Sequence, residues 1–469
     1  MKIEFVSSAA ANGEIQIRFF SIAERGRIPV AVSEAEFSAA AGKVLHLHHE
    51  KTLCVGLGEE AAIDGQTLRS ASGAAIRFLQ KIGASRAAMD VSHWPRHIQP
   101  IVEGALLAEY RFEKFKTAKT PPIETLRLLC APKDLATAKR AGREGGIAAT
   151  SANYARELGN QPGNVIYPQT LASEAKRLAS RKGLRIKVFD EKMLRAGGFG
   201  GLLAVGGGSA RGPRLIVLEY RGDPASAEVI ALVGKAITFD SGGISLKTAD
   251  RMEEMIFDKC GGMAVLGAMA GIADLGLRRN VAGIIASAEN LPGPNAYRPG
   301  DIVTAYDGKN IEIINTDAEG RVVLADAIGY ARKEKKAAAI IDLSTLTGAI
   351  GVALGEYAAG LWSSSDSLQS ALLAAASAAG ERLWPMPLYA EYREQIKSDV
   401  ALIKNTGGRL GGSCTAAAFL KTFAEQTPWA HIDIAFTASH DKDRSDLARG
   451  ATGFGVRTLI RLVENWKAA

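Results

Sequence analysis

The sequence predicts an α/β protein of two domains. A smaller N-terminal α/β domain spans residues 1–155. A larger C-terminal α/β/α domain spans residues 156–469 and is built on a central mixed, mostly parallel sheet. Three observations lead there. The chain has 469 residues, and at about 100–200 residues per domain that gives two or three domains. From residue 214 onward, short β-branched apolar runs alternate with Ala- and Leu-rich stretches of helical length, the pattern of a sheet covered by helices. Between Gly145 and Asn164 the chain passes a cluster of turn formers, Gly159-Asn-Gln-Pro-Gly-Asn164, which marks a domain junction.

In chain order, residues 15–20 and 52–56 read as strands of the first domain. Lys119-Thr-Pro-Pro-Ile123 reads as a loop, because consecutive prolines break regular structure. In the second domain, residues 214–220, 228–237, 281–289, 338–343 and 431–436 are nearly continuous apolar runs, as strands covered on both faces require. Helices are expected over residues 262–275, 319–333, 367–380 and 415–425. The Ala-rich residues 371–379 sit inside the third of these and read as plain helix. Residues 197–208 are glycine-dense but lack G-x-x-x-x-G-K-[ST]. They flank an apolar segment, residues 202–205, that reads as strand, so close packing rather than a nucleotide site is expected there.

Composition narrows the class. Hydrophobic residues make up 47% and charged residues 23% of the chain, which is ordinary for a globular protein and excludes intrinsic disorder. Four cysteines, Cys54, Cys130, Cys260 and Cys414, are too few and too scattered for a disulfide framework and read as buried free thiols of a reducing compartment. The start, Met1-Lys2-Ile3-Glu4-Phe5, is not a signal peptide. No apolar run approaches the ~18 residues of a membrane span. A cytoplasmic protein without a membrane partner is the expectation. The net charge of +7 is mild for this length and shows no long basic run, so DNA is permitted as a partner without a motif that demands it.

Chemistry-bearing residues collect in three segments. In Val233-Gly-Lys-Ala-Ile-Thr-Phe-Asp-Ser-Gly-Gly-Ile-Ser-Leu-Lys247, Lys235 and Asp240 lie at or just beyond a strand end, where open α/β sheets bind ligands, and Lys247 follows a Gly-Gly turn. Met255-Ile-Phe-Asp258 leads into a helix opened by Cys260-Gly-Gly. Asn315-Thr-Asp-Ala-Glu-Gly-Arg321 enters the next helix. Taken singly, Asp240, Asp258, Asp317 and Glu319 read as caps or solvated carboxylates. Brought together they repel, and like charges a few ångströms apart raise each other's pKa or require a cation. Oxygen-rich sites suit Mg, Mn or Zn. Four carboxylates exceed the needs of one catalytic Zn and fit a bridged pair, in which one metal polarises a carbonyl and both acidify a shared water. None of the seven histidines lies in these segments. His93 and His97 are separated by Trp94-Pro95 and lack the Glu of H-E-x-x-H, and Ser241 is not framed as G-x-S-x-G.

These segments resemble the leucine aminopeptidase (cytosol aminopeptidase) family of dinuclear metallopeptidases, whose signature heptapeptide is Asn315–Arg321 without a change. Supporting matches are Tyr297-Arg-Pro-Gly-Asp301, Thr345-Leu-Thr-Gly348, Gly407-Gly-Arg409 with Gly411-Gly412, Trp429-Ala-His-Ile-Asp433 and Gly450-Ala-Thr-Gly453. The similarity covers residues 155–469, and Ala236 stands where the family usually has Gly. The resemblance implies a metal-dependent aminopeptidase that takes the N-terminal, Leu-like residue from peptides with a free N-terminus. Two divalent ions, Mn or Zn with Mg an option at the looser site, would activate a shared hydroxide. It implies that Asp240 and Glu319 bridge both metals, that Asp317 completes the looser site, and that Lys235, neutral and so with a lowered pKa, completes the tighter one with Asp258. It implies that Lys247 stabilises the oxyanion and that Arg321, with backbone near Leu346, holds bicarbonate as proton shuttle. Met255, Thr345 and Ala451 match positions near the pocket for the first side chain. A homo-hexamer is implied, with the first domain serving oligomerisation or accessory binding. DNA binding by a basic N-terminal surface is the alternative role.

Overall fold

A computed structural model describes residues 1–7 and 13–467. The chain divides into a first unit, Met1–Asn153 with Asp441–Gly450, and a second, Tyr154–His440 with Ala451–Ala469. In the first unit, β1 (Lys2–Val6), β2 (Ile15–Ser21), β3 (Val44–Leu47), β4 (Thr52–Gly58), β5 (Arg86–Asp90) and β6 (Thr125–Leu129) form one sheet in the order β1-β6-β5-β2-β4-β3. All neighbours are parallel except β3, which runs antiparallel to β4. Apolar residues of α1 (Gly65–Lys81) and α2 (Ile98–Glu109), among them Leu68, Ile76 and Ile101, pack with Ile17, Leu53 and Leu126 of the sheet. The unit boundary falls inside α3 (Leu135–Gly159). The expected junction therefore holds helix as far as Gly159, and the turn formers only follow it.

In the second unit come α4 (Pro168–Lys182), β7 (Arg185–Phe189), α5 (Glu191–Gly197), α6 (Gly200–Gly206), β8 (Arg214–Arg221), β9 (Val229–Asp240), α7 (Cys260–Leu275) and β10 (Asn280–Asn290). These are followed by β11 (Ile302–Thr304), β12 (Asn310–Glu312), α8 (Glu319–Lys333), β13 (Ala339–Ser344), α9 (Gly348–Leu354), β14 (Ala359–Ser363), α10 (Asp366–Ala379) and β15 (Leu383–Pro385). The last are α11 (Ala390–Glu394), β16 (Ile403–Lys404), α12 (Gly412–Ala424), β17 (Trp429–Asp433) and α13 (Val456–Glu464). Eight strands make the main sheet in the order β15-β14-β17-β13-β9-β10-β8-β7. Its middle four, β17, β13, β9 and β10, are parallel, and antiparallel β14 and β8 flank them. The carboxyl ends of the middle four therefore share one edge.

Three expectations need correction. Residues 202–205 are helix, within α6. The run is too short to show a helical period, and its start is held by a remote group: the Leu202 N–H donates to the Asp326 carboxylate of α8 at 2.8 Å. The strand expected at 431–436 is β17, which stops at Asp433 because Ala435 N–H turns back to the Asp433 carboxylate (3.2 Å) and Ala438 N–H bonds Ile434 O (2.9 Å). A stretch long and apolar enough to cross a membrane does exist. A 3-10 segment, Met252–Lys259, runs straight into α7 and gives 24 helical residues, which contain an 18-residue window of mean hydropathy 1.4. That window is 83% buried inside the fold, as a helix apolar all round must be when it serves as core.

Strand β9 positions the chemistry. A Cβ on Gly234 would lie 2.6 Å from Gly262 Cα and 2.8 Å from Gly261 O of α7. The Ala236 methyl faces the same helix, where Gly262 leaves room for it. Lys235 points the other way and lies against Gly320 of α8. With a period of two, Asp240 would follow Gly234 and Ala236 toward α7. A bulge intervenes: Ile237 pairs with Ala288 but Asp240 with Asn290, so β9 carries one residue more than β10. The extra residue turns Asp240 to the side of Lys235 and Glu319. Gly234→Ala is expected to cost about 1–3 kcal/mol through overpacking, read as a lower urea midpoint. An unchanged midpoint would show that strand and helix part freely.

Candidate metal centre

At the shared carboxyl edge, β9 supplies Asp240, β10 ends in Asn290, β13 is followed by Thr345, Leu346 and Thr347, and β17 ends in Asp433. The N-terminus of α8 supplies Glu319, and Asp258 is the last residue but one of the 3-10 segment. Ligand atoms of Asp240, Asp317 and Glu319 all lie within 4.8 Å of one another, the one such carboxylate group among the described residues. Lys235 Nζ joins Asp258 to this group, lying 2.8 Å from Asp258 Oδ1 and 2.8 Å from Glu319 Oε1. It also donates to Thr345 O at 2.8 Å. Lys247 Nζ lies 2.9 Å from Asp240 Oδ2 and pairs with Asp317. Sequence reasoning named these six residues, and they come together.

The surrounding backbone is held by residues that the sequence did not single out. Asn290 Nδ2 donates to Asp240 Oδ1 (2.8 Å) and to Thr316 O (2.9 Å). The Thr316 hydroxyl donates to Gly242 O (2.6 Å) and accepts from Ser245 N–H (2.8 Å), which ties the two carboxylate loops together. Gly242 has φ +87°, and a Cβ there would meet Ser245 O at 2.4 Å, so this turn needs glycine. Asn405 is fully buried. Its side chain accepts from Ile314 N–H (2.8 Å) and donates to Asn315 O (2.6 Å), and its carbonyl accepts from Arg321 Nη1 (2.8 Å). The one hint available to sequence reading was a polar residue closing an apolar strand, as Asn290 does.

Burial sets the electrostatics. It pushes the Glu319 carboxyl up to about 8, with Asp240 adding repulsion and Lys235 opposing. It pushes Asp258 up to about 6 against the pull of Lys235, and raises Asp317, which also feels Asp240. Burial alone favours neutral Lys235, but Asp258, Glu319 and Asp240 together more than reverse that and hold its pKa above the ordinary lysine range. Among the protein's own charges the direction is therefore upward, and the lowering implied by the resemblance can come only from bound dications. Asp258 Oδ2 and Glu319 Oε2 are buried without a hydrogen-bond partner among protein groups. A clustered, oxygen-rich donor set with unpartnered buried oxygens fits divalent cations.

The remaining expected residues are less convergent. Arg321 is buried, its pKa pushed down to about 10 by burial against the pull of Glu319 and Asp433, and its Nε is unpartnered. The Leu346 N–H is already donated to Asp433 Oδ1 at 3.0 Å, so an anion would rest chiefly on Arg321. Met255 is half-buried, three residues before Asp258. Thr345 Oγ1 donates to Asp258 Oδ1 at 2.7 Å. Ala451 is buried, with its N–H on Asn160 Oδ1 (2.8 Å) and its carbonyl on Arg156 Nε (3.1 Å). His93 is exposed, and His431 belongs to the core, its Nδ1 2.6 Å from Asp342 Oδ1.

A mixed, largely parallel sheet whose carboxyl edge gathers buried carboxylates and two lysines defines a metallohydrolase of the carboxylate-ligated class. Comparison with known proteins makes this particular. The model of the cytosol aminopeptidase family catalytic domain matches residues 153–460, and that of the family's N-terminal domain matches residues 9–119. The chain belongs to the cytosol aminopeptidase family. It is 47% identical over 430 residues to a probable cytosol aminopeptidase of Syntrophotalea carbinolica, covering 88% of this chain and 85% of the relative. It is 45% identical over 444 residues to one of Solibacter usitatus, with 91% of each covered. Among solved structures, the bottromycin maturation enzyme BotP in complex with Mn superposes with a TM-score of 0.87 at 34% identity, covering 96% of this chain and 99% of that one. The protein is thus a hydrolase, a metal-dependent aminopeptidase of a dinuclear family that acts on peptides.

Proposed function

We propose that this enzyme removes Leu-like first residues from peptides with a free N-terminus, using two divalent ions held by Lys235, Asp240, Asp258, Asp317 and Glu319. The observation that carries this is the Asp240, Asp317 and Glu319 cluster, joined to Asp258 through Lys235. Mn or Zn suits this set, with Mg an option on the Asp317 side, and BotP was solved with Mn. When bound, two such ions supply a Lewis acid for the scissile carbonyl, an anchor for the free α-amine and an acidified water. The chain's own groups do the rest. Lys247, half-exposed beside the cluster, offers an ammonium to the developing oxyanion. Arg321 offers its unpartnered Nε to a bicarbonate ion that serves as proton shuttle. Asp240 and Glu319 would help hold both ions, and Met255, Thr345 and Ala451 would border the first side chain.

The same reading places the enzyme in the cytoplasm, as its relatives are named, and in a homo-hexamer. Val352 and Leu410, 92% and 84% exposed, are apolar surface that further copies would cover. A second role, binding DNA through the first unit, is favoured by Arg77, Lys81 and Arg111 around a cavity of about 580 Å³. Asp443 pairs with both arginines and weakens that basic surface. Duplex affinity that falls steeply with salt would support it.

Chelation is expected to silence hydrolysis of leucyl amides, and Mn or Zn to restore it. An N-acetylated leucyl amide should resist cleavage throughout. Its cleavage would remove the exopeptidase reading, and activity indifferent to chelator would remove the metal.

A further inference from the structure

We propose that Asp433 is a positioning residue for the metal centre, holding the loop that orients Lys235 and Asp258. This rests on the reading that those two residues ligate. Asp433 ends β17, is 1% exposed, and pairs in register with Ser344 at the end of β13. Its Oδ1 accepts from Leu346 N–H (3.0 Å) and Ala435 N–H (3.2 Å), and its Oδ2 accepts from the Thr347 hydroxyl (2.7 Å). The carboxylate thus grips the chain on the C-terminal side of Thr345, while the Ser344 carbonyl, accepting from Ile434 N–H at 2.8 Å, fixes the N-terminal side.

Thr345 is the residue caught between. Its hydroxyl donates to Asp258 Oδ1 and its carbonyl accepts from Lys235 Nζ. The chemistry of the amine gives that carbonyl its weight. A lysine that ligates is neutral, with two N–H bonds and one lone pair. Of the three oxygens 2.8 Å from Nζ, those of Asp258 and Glu319 belong to groups that would themselves hold metal. The Thr345 carbonyl is the remaining acceptor, so taking one N–H there fixes where the lone pair can point. Asp433 sets the position of that carbonyl without touching metal or substrate.

The test is Mn binding by equilibrium dialysis and electron paramagnetic resonance on the full chain. Asp433→Ala is expected to weaken one of two Mn sites by about 10–100-fold, the usual cost of losing a group that orients a ligand, and to leave the other site unchanged. Asp433→Asn keeps an acceptor for Leu346 and Ala435 and is expected to recover most of the affinity. Native affinity at both sites in Asp433→Ala, or equal loss at both together with a lowered Tm, would overturn the proposal. Should Asp433→Ala fail to fold, Thr347→Val deletes one of the three bonds and should still weaken the same site by a smaller factor. No change there would also overturn it. Asp258→Ala separates the two readings: if it leaves both Mn sites intact, the ligand assignment fails and this inference falls with it.

Discussion

Asp317→Ala leaves a folded protein that no longer hydrolyses leucine p-nitroanilide, with kcat/KM lower by on the order of 10³–10⁴-fold, the scale on which groups that act as a unit fail. The fold should survive because the carboxylate does little structural work. The turn at Asp317 is held by other groups: its N–H bonds the Asn315 side chain (2.8 Å), and Thr316 is locked to Gly242 and Ser245. What disappears is one of three carboxylates within 4.8 Å of each other. Bound Mn should fall from two ions to one while circular dichroism and Tm stay native. Turnover retained in this variant would refute the role given to Asp317.

Lys247→Ala is expected to lower kcat by about 10²–10³-fold, the loss typical of removing one oxyanion donor, with two Mn ions still bound. The reasoning is positional. Lys235 is sealed in, 3% exposed, between Asp258 and Glu319, whereas the Lys247 side chain is 24% exposed at the rim of the cluster, where a substrate oxygen can reach it. If the variant instead loses metal in proportion to activity, Lys247 is a structural counter-charge and the oxyanion assignment is wrong.

Much of the second unit was legible in the sequence. Helix α8 matches its expected span residue for residue because an acidic first turn and a basic last turn bracket an apolar stretch of helical length. Strands β8, β9, β10 and β13 follow their apolar runs to within a few residues. What escaped depends on partners far along the chain. Helix α6 is seven residues long, and its start is capped by Asp326, 124 positions away. Asn405 and Asp433 meet their partners across 84 to 91 positions, and no local pattern marks such a meeting. The individual carboxylates could be read as candidates; their convergence followed only from the family resemblance and is now seen in the geometry.

The doubled residue in β9 carries a lesson for anyone redesigning this scaffold. An idealised sheet, made tidy by deleting Thr238 or Phe239, would rotate the Asp240 carboxylate into the opposite helical layer. The capacity for chemistry is stored in a backbone defect, and any descendant of this fold that repairs it forfeits the proposed ligand Asp240 while every residue of the signature heptapeptide remains in place.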